Sequence, residues 1–205
     1  PEFHIGDINV ETGRTTINWD RVFKQDGDTV LVCYHNTRSF WSTAYDPTRN
    51  ALYIPFHDAC LEMTANAAMP TGFGPRNGVL RPGVSLDEYA GIAKIDLETG
   101  RMERIHSQAA PGNGSALVTG GDLLFWGDIE RRFNAFDADN GEILWNVVLG
   151  GIIQTSTISY AVDGRQYIAV MTGNGLSGTV TPNAISRIST VNGHNAIYAF
   201  ALPES

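Results

Sequence analysis

An all-β fold is predicted by three features of this 205-residue sequence. Amphipathic helical periodicity is almost absent, short apolar or β-branched runs recur along the chain, and turns rich in Gly, Asp and Asn separate them. The 22 glycines are scattered, so they mark turns rather than a collagen-like or flexible tract.

The elements read in order. STAY (42–45), ALYIPF (51–56), GIAKI (91–95) and RMERI (101–105) form a first set of strands. ALVT (116–119), LLFW (123–126), RFNAF (132–136) and ILWNVV (143–148) form a second, joined by GGD, GDIER and DADNGE. Connections that short force antiparallel neighbours, so this set is a four-stranded meander. A third set runs TISYAV (157–162), QYIAVM (166–171) and NAIYAFAL (195–202).

Aligning the sets exposes a repeat. RFNAFDADNGEILW (132–145) and GIAKIDLETGRMER (91–104) share an Asp with a Gly four residues on. INVETGRTTINW (8–19) is a degenerate copy with Asn9 and Gly13, and NAIYAFAL begins a fourth. Asp96 and Asp137 can bond the backbone two residues on, while Gly100 and Gly141 can take positive φ. Trp145 then lies over a neighbouring sheet, and its truncation is expected to cost more than that of Trp126. A four-stranded unit recurring about every 40 residues predicts a β-propeller. Residues 1–205 read as one section of such a domain, with two whole blades, pieces of two more, and 56–90 as an insertion between strands of one blade. So few blades cannot close a ring. The expectation is the C-terminal section of a longer protein, unstable and inactive when expressed alone.

Composition narrows the function. Net charge is −8, from 22 acidic and 14 basic residues, which argues against nucleic acid or an anionic membrane surface. No apolar run approaches the length of a membrane span. Cys33 and Cys60 read equally well as buried thiols or as a pair; a bond would close a loop of about 27 residues, worth roughly 3 kcal/mol, and imply an oxidising compartment. GNGLSG (173–178) has the spacing of a dinucleotide-binding loop, but TVTPNAIS follows where a helix should start and no acid lies downstream. Asp58, Glu62, Asp87 and Glu88 have no partner pattern and read as solvated loop charges. His57-x-x-Cys60 is too sparse for a metal site. No general base can be named.

Three stretches, SFWSTAYDPTRNALYIPFHDACLEM (39–63), DLLFWGDIERRFNAFDADNGEILWNVVLGGIIQTSTISYAVDGRQYIAVMTGNG (122–175) and NAIYAFALP (195–203), carry a resemblance. They resemble the C-terminal portion of bacterial pyrroloquinoline-quinone-dependent alcohol and methanol dehydrogenases. Ala135, Asp137, Gly141 and Trp145 look like that family's tryptophan-docking motif. The resemblance implies an eight-bladed propeller holding the quinone beside a calcium ion at the centre of one face. It implies oxidation of an alcohol to an aldehyde or ketone in the periplasm, with electrons passed to a cytochrome c or another acceptor. It implies a Cys33–Cys60 disulfide.

Site residues carry over in part. Phe40-Trp41 stands where the family has Asn-Trp, so Trp41 covers the quinone, lines its rim, or is a core residue. Asn113-Gly114 stands at the family's second Trp turn, with an amide in place of an indole. Gly175 and Leu176, in GNGLSG, become the loop that approaches the quinone, or else a plain blade turn. The calcium ligands and catalytic base are expected in the earlier blades, and no catalytic residue is assigned to this chain. A non-enzymatic propeller scaffold of the bacterial envelope is the alternative; bound quinone, absorbing in the near ultraviolet, discriminates the two.

Overall fold

The computed structural model describes residues 5–33, 42–70, 72–173, 185, 188–191 and 193–202. The described regular structure is mostly antiparallel strand, with single 3-10 turns at Trp19–Arg21 and Leu86–Glu88. Strands β1 (Ile5–Ile8) and β2 (Thr15–Ile17) make a hairpin. Strands β4 (Ala44–Asp46), β5 (Ala51–His57), β8 (Ala90–Asp96) and β9 (Met102–Gln108) pair in that order as one four-stranded sheet. Strands β10 (Leu117–Val118), β11 (Leu123–Gly127), β12 (Arg132–Asp137) and β13 (Ile143–Val148) form the meander read from the sequence. Strands β14 (Thr157–Val162), β15 (Arg165–Thr172) and β16 (Ala196–Ala201) form a third sheet.

These sheets stack face to face. Leu124, Trp126 and Phe136 of the middle sheet pack with Ala44, Ala51, Tyr53 and Ile92 of the sheet before it. The alternate residues Phe125, Phe133 and Ala135 pack with Ile168 and Val170 of the sheet after it. Because β-strand side chains alternate between faces, a sheet buried on both sides reads as an uninterrupted apolar run. LLFW is such a run, and in FNAF only the buried Asn134 interrupts it.

The repeat is an Asx turn used three times. Asp137 Oδ1 accepts from the backbone N–H of Asp139 at 2.8 Å and of Asn140 at 3.1 Å. Asp96 does the same for Glu98 and Thr99, both at 2.9 Å, and Asn9 for Glu11 and Thr12. Gly13, Gly100 and Gly141 follow with φ of 67°, 70° and 74°. One copy also bears on the stacking: a Cβ on Gly141 would overlap the Ile105 carbonyl of β9, whereas one on Gly100 would meet nothing within 4 Å. Beside that turn, Arg49 bonds Asp46 at 2.8 Å, Asp139 at 2.7 Å and Asp122 at 2.8 Å, tying the first sheet to the second. Tyr53 adds a 2.8 Å bond to the Ala138 carbonyl.

The 56–90 segment leaves β5 and returns to its partner β8. It holds β6 (Ala59–Ala65) and β7 (Phe73–Leu80), which join β3 (Thr29–Val32) in a separate sheet with its own core of Val30, Val32, Leu61 and Met63. The two tryptophans also exchange ranks. Trp126 is fully buried between the first two sheets, while Trp145 is 41% exposed, its indole edge-on to Phe133 and to Phe200 of the next sheet. Trp145 does reach the neighbouring sheet, but β13 is the outer strand and solvent reaches its far side.

Two mutational comparisons follow from this packing. Gly141→Ala should destabilise more than Gly100→Ala: both incur about 1–2 kcal/mol for left-handed backbone, and only Gly141 adds a clash with a neighbouring sheet. Trp126→Ala should cost roughly 3–5 kcal/mol and exceed Trp145→Ala. Midpoints in denaturant, measured in the full-length protein, check both rankings.

Candidate functional site

The connections at one end of the sheets form a single bonded layer. Ile129 N–H donates to the Pro111 carbonyl at 3.0 Å, Ile153 N–H to that of Asp128 at 3.2 Å, and Ser115 N–H to that of Thr155 at 3.1 Å. Ala110, Ile129 and Ile152 pack beneath, with Ile188 against them. Glycines allow the close approach. A Cβ on Gly112 would overlap the Trp126 ring, and one on Gly127 the Ile153 side chain.

Three segments singled out from the sequence meet here through their flanks. Phe40, Trp41, Gly175 and Leu176 lie outside the described residues. Ser42, next to Trp41, accepts from Ala116 N–H at 3.2 Å, two residues past Gly114. Gly173, which opens GNGLSG, donates to the Ile152 carbonyl at 2.9 Å. Asn113 and Gly114 are themselves buried. Gly114 turns its α-carbon toward the Thr155 and Ile153 carbonyls, where a Cβ would sit at 3.2 and 3.4 Å. The Cys33–Cys60 disulfide is present, tying the residue before position 34 to β6.

Asn113 Oδ1 lies 2.8 Å from His57 Nε2, and both residues are buried. Sequence reasoning missed His57 as a partner. Its signal is the alternation in ALYIPFH, where 51, 53, 55 and 57 share the buried phase. Tyr89 packs its ring 5.9 Å from that of His57, at 51°. Burial, and then the nearby Asp58 charge, push the Tyr89 hydroxyl well above the ordinary tyrosine range.

Asp58 departs from the sequence expectation. It is not a solvated loop charge but 5% exposed, ion-paired with Arg81 at 3.3 Å and with Arg104, whose guanidinium lies 4.7 Å over the Phe56 ring. A lone Asp with arginines 23 and 46 positions away leaves no local pattern in the sequence. Glu62, Asp87 and Glu88 are exposed, as expected. Asp128, fully buried in the β11–β12 connection, bonds the Arg132 guanidinium at 2.8 Å and Gln108 at 3.1 Å. Burial raises its carboxyl, and Arg132 and Gln108 offset part of that rise. Its oxygens are occupied by this chain, so it anchors a turn.

The donors around the layer suit an acceptor-rich ligand. The Tyr89 and Thr157 hydroxyls are buried and find no hydrogen-bond partner among the described residues. Such groups cost about 1–3 kcal/mol each when unmet, and carbonyl or carboxylate oxygens would satisfy them. Among the described residues no three His, Cys, Asp or Glu side chains come together. A separate groove of about 1160 Å³ lies at the opposite end, lined by Phe125, Trp145, Tyr167 and Phe200 among others, and borders none of the candidate residues.

Comparison with known proteins agrees with this architecture. Residues 87–168 match the family described as glucose/ethanol/alcohol dehydrogenase, PQQ β-propeller domain. The chain is 30% identical over 82% of its length to the 1-butanol dehydrogenase (cytochrome c) of Thauera butanivorans. It is 29% identical over 80% of its length to the dehydrogenase subunit of the quinone alcohol dehydrogenase of Acetobacter aceti. It spans 26% and 24% of the lengths of these relatives. Among solved structures, a europium-containing methanol dehydrogenase superposes on 98% of the chain with a TM-score of 0.81 and 21% identity, the chain covering 40% of it.

The ion pairs give this region a stability test. Asp58→Ala removes the buried acceptor of two part-exposed arginines and should cost about 1–3 kcal/mol, whereas Glu62→Ala, on an exposed position, should stay within about 0.5 kcal/mol. Thermal or denaturant unfolding of the full-length variants separates them.

Proposed function

Because the chain belongs to the β-propeller family of quinone-dependent glucose, ethanol and alcohol dehydrogenases, we propose that it is the C-terminal section of an enzyme oxidising alcohols with pyrroloquinoline quinone. The observation that carries the reading is the convergence of Asn113-Gly114 with the flanks of Phe40-Trp41 and of GNGLSG in one loop layer. Held by these residues, a bound quinone would supply the two-electron oxidant for converting an alcohol to an aldehyde or ketone.

This chain's own part is binding and enclosure. Asn113, with the backbone of Gly114, Gly175 and Leu176, forms part of the cage; Trp41 and Phe40 line or cover it. The glycine contacts bring backbone close enough to exclude water from the layer. The disulfide anchors the chain entering the Phe40-Trp41 segment. Calcium, with its ligands and the catalytic base, belongs to blades outside this chain, in keeping with the neutral donors here. A cytochrome c or another acceptor reoxidises the quinol. The periplasm fits the disulfide, which persists in oxidising compartments.

Neighbouring blades are the remaining partner. Tyr45 and Met102 on the outer face of the first sheet are 51% and 64% exposed. On the far face of the third sheet, Ile158, Tyr160, Met171 and Ile197 are 54%, 39%, 43% and 73% exposed. Apolar sheet faces of this kind are blade seats, and the isolated chain should aggregate.

The test uses the full-length protein supplied with quinone and calcium. It should gain near-ultraviolet absorbance that survives gel filtration and should reduce a redox dye only when alcohol is present. The 205-residue chain alone should do neither. Failure of the full-length protein to retain quinone would sink the reading.

A further inference from the structure

We propose that the third sheet is completed by a strand from the part of the same polypeptide that precedes residue 1, paired along the free edge of β16 and covering the apolar groove beside it. The upstream origin rests on reading the chain as a C-terminal section; the pairing rests on the sheets themselves. The first two sheets have four strands each, ordered β4-β5-β8-β9 and β10-β11-β12-β13, and the third has three, β14-β15-β16. β16 pairs with β15 along Ala196–Ala201, and among the described residues its other edge pairs with nothing. A row of unpaired backbone donors and acceptors is a template for another strand.

The local sequence does not supply that strand as it does in the second sheet. Phe136 and Phe200 hold the same place, each facing the preceding sheet from the third strand of its own. After Phe136 comes Asp137, whose Oδ1 accepts from the N–H of Asp139 and of Asn140 and turns the chain back into β13. After Phe200 comes Ala201, which has no side-chain oxygen, and the counterpart of Asp139 is Pro203, which has no N–H to give. The missing strand therefore comes from a distant segment. There is ample chain for it, since these residues span 26% and 24% of the relatives compared above.

The groove shows what the strand brings. Trp145, on the fourth strand of the second sheet, lies beside the open edge of β16, its indole edge-on to Phe200 at 5.3 Å and 41% exposed. The groove of about 1160 Å³ opens there, between Phe125 and Trp145 on one sheet and Ile168, Phe200 and Leu202 on the next. At the seam between the first two sheets, Arg49 ties Asp46 to Asp122 and Asp139. Arg49 precedes Asn50 as Gly121 precedes Asp122, and Asn50 and Asp122 share positive φ, so Gly121 stands where the second seam would need its arginine. That seam has no clamp of its own. A strand with apolar residues at alternate positions fits it: one phase covers Trp145 and Phe200, and the other extends the exposed face of Ile197.

Hydrogen exchange of the full-length protein, read by mass spectrometry on peptides spanning 196–202, tests the edge. Successive amides of an antiparallel strand point to opposite neighbours. A β16 paired on both sides keeps all its amides as slow as those of β12, which has a neighbour on each side; an edge strand leaves alternate amides fast. In parallel, full-length protein carrying the photo-crosslinker benzoylphenylalanine in place of Trp145 is irradiated and the joined peptide sequenced. The expected result is uniformly slow amides and a crosslink to a segment before residue 1 of the same molecule. Fast alternate amides overturn the proposal. So does a crosslink to a second copy, to another protein or to residues after 205, or the absence of any crosslink beyond these 205 residues. Should the variant at 145 fail to fold, the same crosslinker at the exposed Ile197, with exchange in the wild type, decides. Neither readout involves quinone, so a full-length protein that retains none brings down the functional reading and leaves this pairing standing.

Discussion

Everything else in this chain depends on the face-to-face stacking of twisted antiparallel sheets. The middle sheet has no solvent face: Leu124, Trp126 and Phe136 point one way, and Phe125, Phe133 and Ala135 the other. Hydrophobic burial sets the sheets together but is non-directional. Their register comes from polar contacts at the rim, where Arg49 gathers Asp46, Asp122 and Asp139 from two sheets. Gly141, pressed on the Ile105 carbonyl, sets how close the two sheets come.

Stacking gathers a second set of connections at the opposite end. Each strand pair delivers a connection to the same layer, and glycines at 112, 114 and 127 let those connections touch backbone to side chain or backbone to backbone. The carbonyls and amides of the layer bond one another across sheets, as buried backbone polar groups must find partners.

The insertion contributes a second constraint. Its hairpin pairs with β3, is locked by Cys33–Cys60, and sends back the buried pairs of Asp58 with Arg81 and Arg104. At its entrance the insertion meets the connection of the next sheet through the His57–Asn113 bond.

The sequence by itself determined the strands, the meander and the Asx-turn repeat. These are local matters. Alternation within LLFW, an Asp with a Gly four residues on, and a three-residue connection each state their conformation within a few positions. Tertiary structure alone decided the rest. Trp126 and Trp145 occupy similar strands, and only their places in the stack, between two sheets or on an outer strand, rank their burial. Asp58 looked solvated because its arginines lie far along the chain. His57 was in phase with a buried face, yet its partner 56 residues away belongs to another sheet. Side-chain pairing between distant segments depends on how the sheets seat, and no short stretch of sequence encodes that seating.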